Sequence, residues 1–132
     1  PGVYISDAKI QPGEIPWDPT AWSPANVDGQ FGNVLPAEVG LIKSRNTMTV
    51  RVGEWAGIKP VLAMMEHAGL GEVGDEVSPT VYIGTLESDV HDVASAYSVF
   101  ATGGIRHQPH FVESITDRDG AELIRHEAAR RG

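Results

Sequence analysis

Residues 44–46 read Ser44-Arg45-Asn46, a Ser-x-Asn triplet that follows a short stretch with the periodicity of an amphipathic helix. The segments Trp22-Ser23-Pro24-Ala25-Asn26 and Gly32-Asn33-Val34 precede it, and Ala94-Ser95-Ala96-Tyr97-Ser98-Val99-Phe100-Ala101-Thr102-Gly103-Gly104 follows it. The triplet alone carries little weight, because Ser and Asn are common at helix ends, where their side chains bond to nearby backbone groups. The order of these segments along the chain is therefore the stronger signal.

The composition is typical of a globular domain that does not bind nucleic acid. The 132 residues are 41% hydrophobic and 21% charged, with a net charge of −8. Phosphate binding needs clustered Lys and Arg, which this acidic chain lacks. The absence of cysteine excludes disulfides and thiolate metal sites. Because the chain opens on Pro-Gly rather than on Met, we expect it to be a piece of a longer protein.

Apolar residues spaced by three and four predict helices on both sides of the triplet. One begins at Pro36, a favourable first-turn residue, and ends near Ser44. The next follows Asn46, whose side-chain oxygen can cap it, and a third begins at about Pro60. The face of the second helix that we expect to point inward consists of Met48, Val52, Trp55 and Ala56.

The clearest helix opens at Asp89, a good N-cap, and ends at Gly103-Gly104. Its apolar side chains form one continuous stripe that we expect to be core. This stripe consists of Val90, Val93, Ala94, Tyr97, Phe100 and Ala101. Short strands are expected at residues 3–5, 9–11, 80–84 and 111–115, with a hairpin turn at Asp119-Gly120. The predicted class is α+β, mainly α with short strands.

The ordered segments resemble the transpeptidase domain of the class A, bifunctional penicillin-binding proteins. That family runs from Trp-x-Pro-x-Asn through Gly-x-Val to Ser-x-Asn, and then to Ala-x-Ala-Tyr-x-x-Phe-Ala-x-Gly-Gly. Further matches are Ile83-Gly84-Thr85-Leu86-Glu87, Pro109-His110-Phe111 and Asp117-Arg118-Asp119-Gly120. The resemblance extends from Ile5 to Ile124 and implies the helical lobe of the penicillin-binding protein transpeptidase, or β-lactamase-like, fold.

This resemblance implies part of a D,D-transpeptidase that cross-links peptidoglycan stem peptides by serine acyl transfer and is acylated by β-lactams. Ser44 would be the catalytic proton relay, and Asn46 would bind the amide carbonyl of the substrate. No cofactor and no metal are implied. The implied partners are the stem peptide, β-lactams and the remaining segments of the same domain. The parent protein would be membrane-anchored on the periplasmic side of the inner membrane, and class A relatives also carry a glycosyltransferase domain.

Two further motifs of the family, Ser-x-x-Lys and Lys-Thr-Gly, are needed for its chemistry. Lys-Thr-Gly does not occur, and the only Ser-x-x-Lys is Ser6-Asp7-Ala8-Lys9. A nucleophile of this type needs a helix, whereas Tyr4-Ile5 favours a strand and Pro12-Gly13 breaks any helix soon after. We therefore expect residues 1–132 to be a partial domain without nucleophile or Lys-Thr-Gly, inactive alone, whose apolar helix faces stay exposed or self-associate.

Other interpretations remain open. The chain could be a non-catalytic lobe of the same fold that binds peptidoglycan or a partner protein, or a relative of the serine β-lactamases. A metal site at His107, His110 and Glu113 is disfavoured because Pro109 prevents a regular helix there. Asp117 to Gly120 lacks the remaining oxygen ligands of a calcium loop.

Overall fold

The computed structural model describes residues 2–71, 74, 77–127 and 130–131. These residues form two compact units. The first combines the chain up to Met64 with a segment that ends at Leu86. The second combines a segment that begins at Met65 with the chain from Glu87 onward.

The described residues form short strands and four α-helices, which confirms the predicted mainly α class. In chain order the elements are β1 (Tyr4–Ser6), β2 (Val34–Pro36), α1 (Ala37–Ile42), α2 (Asn46–Ala56), α3 (Ile58–Ala68), a 3-10 helix (Pro79–Ile83), α4 (Val90–Ala101), β3 (Arg106–His107), β4 (Ser114–Thr116), β5 (Glu122–Arg125) and β6 (Arg130–Arg131). The strands pair antiparallel as β1 with β2, β3 with β6, and β4 with β5. No helix in the described part of the chain is both long and apolar enough to span a membrane.

The buried face of α2 differs from the predicted one. Of the four expected residues only Met48 is buried, while Trp55 is 73% exposed. The buried residues of α2 are Thr47, Met48, Val50 and Gly53. Gly53 is buried because the Tyr82 ring lies against it, so close that a Cβ would be 2.3 Å from the ring. Hydropathy missed this face because it consists of a polar residue and a glycine as well as apolar ones.

Three predicted helix starts differ from the structure. The third helix, α3, begins at Ile58 rather than at about Pro60. Pro36 is the last residue of β2 and precedes the helix, so α1 begins at Ala37. Asn46 is the first residue of α2 rather than its cap, and the N-cap position is occupied by Arg45 without a side-chain capping bond. The Asn46 side chain bonds elsewhere, as described below.

The expected strands were only partly correct. Residues 80–84 belong largely to the 3-10 helix, which Ser78 caps, and residues 9–11 form no strand. The hairpin prediction is confirmed, since β4 and β5 flank a turn in which Asp117 Oδ1 accepts from the backbone N–H groups of Asp119 and Ala121, both at 2.9 Å.

Helix α4 begins and ends as predicted, but its apolar stripe is not core. Asp89 caps it by accepting the Asp92 N–H at 2.9 Å, and Gly104 N donates to Val99 O at 2.7 Å to end it. All six residues of the α4 stripe are exposed, Phe100 to 80%. The buried residues are Ser95 and Ala96. Periodicity identifies a face that can pack, and it does not show that the packing partner lies in the same chain.

Candidate functional site

Ser44 occupies the turn between α1 and α2 in a conformation that few non-glycine residues adopt. Its φ is +52°, in the left-handed region. Arg45 N donates to Gly40 O at 2.9 Å across this residue, a bond typical of the Schellman ending of a helix, where glycine is usual. The Ser44 side chain is exposed. Non-glycine residues in this region are disfavoured and are enriched at functional sites.

Asn46 links the triplet to the upstream Trp22–Asn26 segment. Its Nδ2 donates to the carbonyl oxygen of Ala25 at 2.8 Å. An amide nitrogen carries two N–H groups, so this bond fixes the plane of the side chain and leaves a second donor. Among the described residues no other partner of this side chain is found. The arrangement leaves Asn46 able to donate to a ligand carbonyl.

Arg45 occupies the variable position of the Ser-x-Asn motif, and no role was predicted for it. It is the buried anchor of the triplet. Arg45 is 9% exposed. Its Nε donates to Asp7 Oδ2 at 2.9 Å and its Nη1 to Asp28 Oδ2 at 2.7 Å. Its Nη2 donates to Gln30 O at 2.7 Å. Every arm of the guanidinium is therefore bonded to the segment that precedes α1.

Asp7 is the acceptor at the centre of this arrangement and is 1% exposed. Its Oδ1 accepts from Thr47 Oγ1 at 2.6 Å and from Asn26 Nδ2 at 3.0 Å. Its Oδ2 accepts from Gly32 N at 2.9 Å in addition to Arg45. Asp7, Asn26, Arg45 and Thr47 are called the Asp7 clamp below. It joins three separate segments of the first unit.

The Asp7 carboxylate stays ionised despite its burial. Burial by itself raises the pKa of a carboxyl group. Hydrogen bonds from Arg45, Thr47 and Asn26 to the charged form outweigh that effect and lower the pKa of Asp7 to about 2. The same contacts with Asp7 and Asp28 raise the pKa of Arg45. Asp7 and Arg45 are therefore both charged at neutral pH and form the ion pair of the clamp.

The structure brings together three of the four segments that the sequence singled out. Residues of Trp22–Asn26 and Gly32–Val34 bond directly to the clamp or to Asn46, whereas Ala94–Gly104 belongs to the second unit. Asp7 and Arg45 were missed because they lie 38 positions apart, and no local spacing links them.

Ser6 and Lys9 do not form the helical Ser-x-x-Lys arrangement. Ser6 ends β1, and its hydroxyl accepts from Ala8 N at 3.2 Å. This agrees with the expectation of a strand at this place. The buried residue of the segment is Asp7, which lies between them.

The histidine positions do not assemble the metal site considered above. His110 Nε2 lies 2.8 Å from Glu113 Oε2 and its ring stacks on His126, while His107 belongs to β3. Asp89, His91 and Asp92 could share a cation, but Asp89 already caps α4. We assign no metal to either group.

Comparison with known proteins finds similar sequences and similar structures. No family model matches the chain. It is 34% identical over 125 residues, or 95% of its length, to penicillin-binding protein 1A from Rickettsia bellii, of which it covers 16%. The crystal structure of penicillin-binding protein 1A from Haemophilus influenzae matches at 25% identity and a TM-score of 0.79, over 95% of this chain and 18% of that one.

A second solved structure supports the fold alone. Penicillin-binding protein A from Mycobacterium tuberculosis, as an imipenem acyl-enzyme complex, matches at 18% identity and a TM-score of 0.76 over 98% of this chain and 34% of that one. The chain spans about a sixth of the length of the curated relative above.

Proposed function

The chain belongs to the penicillin-binding protein family, and on this premise we propose that it is part of a peptidoglycan D,D-transpeptidase that cross-links stem peptides by serine acyl transfer. The observation that carries the proposal is the Ser44-Arg45-Asn46 turn, strained at Ser44 and anchored by a buried ion pair. Residues 1–132 form a partial transpeptidase domain, and other segments of the parent protein supply the nucleophile and Lys-Thr-Gly. This chain alone is inactive.

Ser44 relays a proton in the proposed reaction. A hydroxyl both donates and accepts, so it can take a proton from a base on one side and pass it to the leaving amine on the other. The exposure of Ser44 leaves its hydroxyl accessible to a ligand. The attacking serine itself needs an adjacent base, which we place outside this chain.

Asn46 holds the substrate in the proposed site. Its bond to the Ala25 carbonyl uses one N–H, and the other donates to the amide carbonyl of a stem peptide or β-lactam. Because the side chain is already held, little rotamer freedom is lost on binding.

The parent protein of this proposal works in the periplasm, on the outer side of the bacterial inner membrane, and is anchored there. Its partners are the peptidoglycan stem peptide and β-lactams, and the reaction needs no cofactor. The imipenem complex of the mycobacterial relative is an example of such acylation in a protein of this fold.

Covalent labelling by a fluorescent penicillin tests the proposal in the full-length protein. General acid–base groups contribute about 10²- to 10⁴-fold, so we expect Ser44→Ala to slow labelling by about 10²-fold or more, and Asn46→Ala to slow it as well. Ser6→Ala is the matched control and should label at the wild-type rate. Wild-type labelling of Ser44→Ala, or abolished labelling of Ser6→Ala, would overturn the assignment.

A further inference from the structure

We infer that Arg45, together with Asp7, is a positioning residue of this site: their buried ion pair sets the conformation of the Ser44-Arg45-Asn46 turn and thereby the rate of acylation. The inference rests on the proposed function. It concerns the middle residue of the triplet, whose side chain is buried against Asp7 and Gln30 and acts only through its two neighbours.

The contacts of Arg45 fix the backbone between the two proposed functional residues. The guanidinium reaches Asp7, Asp28 and the Gln30 carbonyl, each at 2.7–2.9 Å. A planar guanidinium bonded in three directions cannot rotate or shift without breaking several charge-assisted bonds at once. The Cα of Arg45 is therefore held in place, and with it the adjoining peptide groups of Ser44 and Asn46.

Asp7 holds the other side of Asn46. Its Oδ1 accepts from Thr47 Oγ1 at 2.6 Å, and Thr47 N donates to Asn26 Oδ1 at 3.4 Å. One carboxylate thus bonds to the residue before Asn46 and to the residue after it. Rotation of the first turn of α2, which would swing the Asn46 amide away from a ligand, is opposed from both sides.

The strain at Ser44 explains why such anchoring is needed. A non-glycine residue in the left-handed region is disfavoured, because its Cβ lies too close to the following carbonyl oxygen. Without an anchor the turn could relax by moving Ser44 to an ordinary φ, which would redirect its hydroxyl. Arg45 is the adjacent residue, and its backbone N–H closes the turn on Gly40 at 2.9 Å. The clamp opposes this relaxation.

Arg51 provides a matched comparison within the same unit. It also lies on α2, forms an ion pair with Glu14, and donates to the carbonyls of Ser6 and Ala8 at 2.8 and 2.7 Å. Its side chain is 17% exposed, against 11% for Arg45. It has no bond to the triplet. If Arg45 served stability alone, the two arginines would affect acylation alike.

The test measures the acylation rate constant per folded molecule in the full-length protein, with a fluorescent penicillin, for Arg45→Lys and Arg51→Lys. Lysine keeps the charge but loses the planar three-way bonding. We expect acylation to slow at least tenfold in Arg45→Lys and to stay within twofold of wild type in Arg51→Lys, with similar losses of melting temperature. Equal acylation rates in the two variants would overturn the inference.

A second pair of variants covers the case in which Arg45→Lys does not fold. Asp28→Asn removes a half-exposed partner of Arg45, and Glu14→Gln removes the partner of Arg51. A severalfold slowing in Asp28→Asn, with Glu14→Gln at the wild-type rate, supports the inference, and no difference between them contradicts it. Ser44→Ala in the same assay separates the two claims. If Ser44→Ala is slow while both arginine variants are normal, only the positioning role fails.

Discussion

The Asp7 clamp and the α4 stripe show opposite relations between side-chain chemistry and burial. In the first unit a charged pair is buried and fully bonded within the chain, with Asp7 1% exposed. In the second unit Tyr97 and Phe100 are 70% and 80% exposed. Buried charges are tolerated only when paired and bonded, and large exposed apolar faces mark interaction surfaces. The first region is therefore completed by its own chain, and the second is a surface suited to a partner.

Removing the centre of the clamp should give the largest effect. Asp7→Ala leaves Arg45 buried without its main partner, which typically costs about 3–5 kcal/mol. We expect the free energy of unfolding of the 132-residue chain to fall by that amount, measured by urea denaturation. A loss below about 1 kcal/mol would show that the charge is solvated rather than clamped.

Acid should weaken the clamp selectively. The pKa of Asp7 is about 2 in the folded chain, below its ordinary value of 3.8. A carboxyl group whose pKa is lower in the folded than in the unfolded chain stabilises the fold at pH values above its unfolded pKa. That stabilisation is lost as the pH falls from about 4 to 2. The difference corresponds to about 2 kcal/mol. The urea concentration at the unfolding midpoint should therefore decrease more between pH 5 and pH 2.5 in the wild type than in Asp7→Asn. Equal falls would mean that Asp7 is not held ionised by the clamp.

The packing of α2 against Tyr82 can be probed at its glycine. A Cβ at Gly53 would lie 2.3 Å from the ring, and overpacking of a closed site typically costs about 1–3 kcal/mol. Gly40→Ala is the control, since its Cβ would first meet the flexible end of Met48. We expect Gly53→Ala to unfold at lower urea than Gly40→Ala. The reverse order would show that the ring, not the backbone, can move.

Substitutions in the α4 stripe should change the self-association of the chain more than its free energy of unfolding. Tyr97→Ser and Phe100→Ser change exposed side chains, so their effect on unfolding should stay within about 0.5 kcal/mol. We expect the isolated chain to self-associate through this face and the double variant to do so less, measured by sedimentation velocity. Unchanged association together with a large loss of stability would place the stripe in the core after all.

Local signals in the sequence predicted part of the local structure. The Asp89 cap, the Gly104 stop and the hairpin turn at Asp119-Gly120 were correct, because each depends on hydrogen bonds within a few residues. The helix starts expected at Pro36 and Asn46 were wrong. The ordered motifs also indicated the family, since the chain is 34% identical over 95% of its length to a penicillin-binding protein 1A.

Burial and long-range pairing could not be read in the same way. The inner face of α2 contains Thr47 and Gly53, whose burial depends on Asp7 and on the Tyr82 ring. The Asp7–Arg45 pair spans 38 positions. Whether the α4 stripe is buried depends on whether another segment packs against it. None of these is a property of a local window.

The most direct test of the account is a crystal structure of the full-length protein acylated by a penicillin. The central claim is that this chain supplies Ser44 and Asn46 to the transpeptidase site but does not carry the nucleophile. We expect the adduct on a serine outside residues 1–132, with the Asn46 side-chain nitrogen within hydrogen-bond distance, about 2.7–3.2 Å, of the amide carbonyl of the adduct. An adduct on Ser6 or Ser44, or one far from Asn46, would contradict the claim.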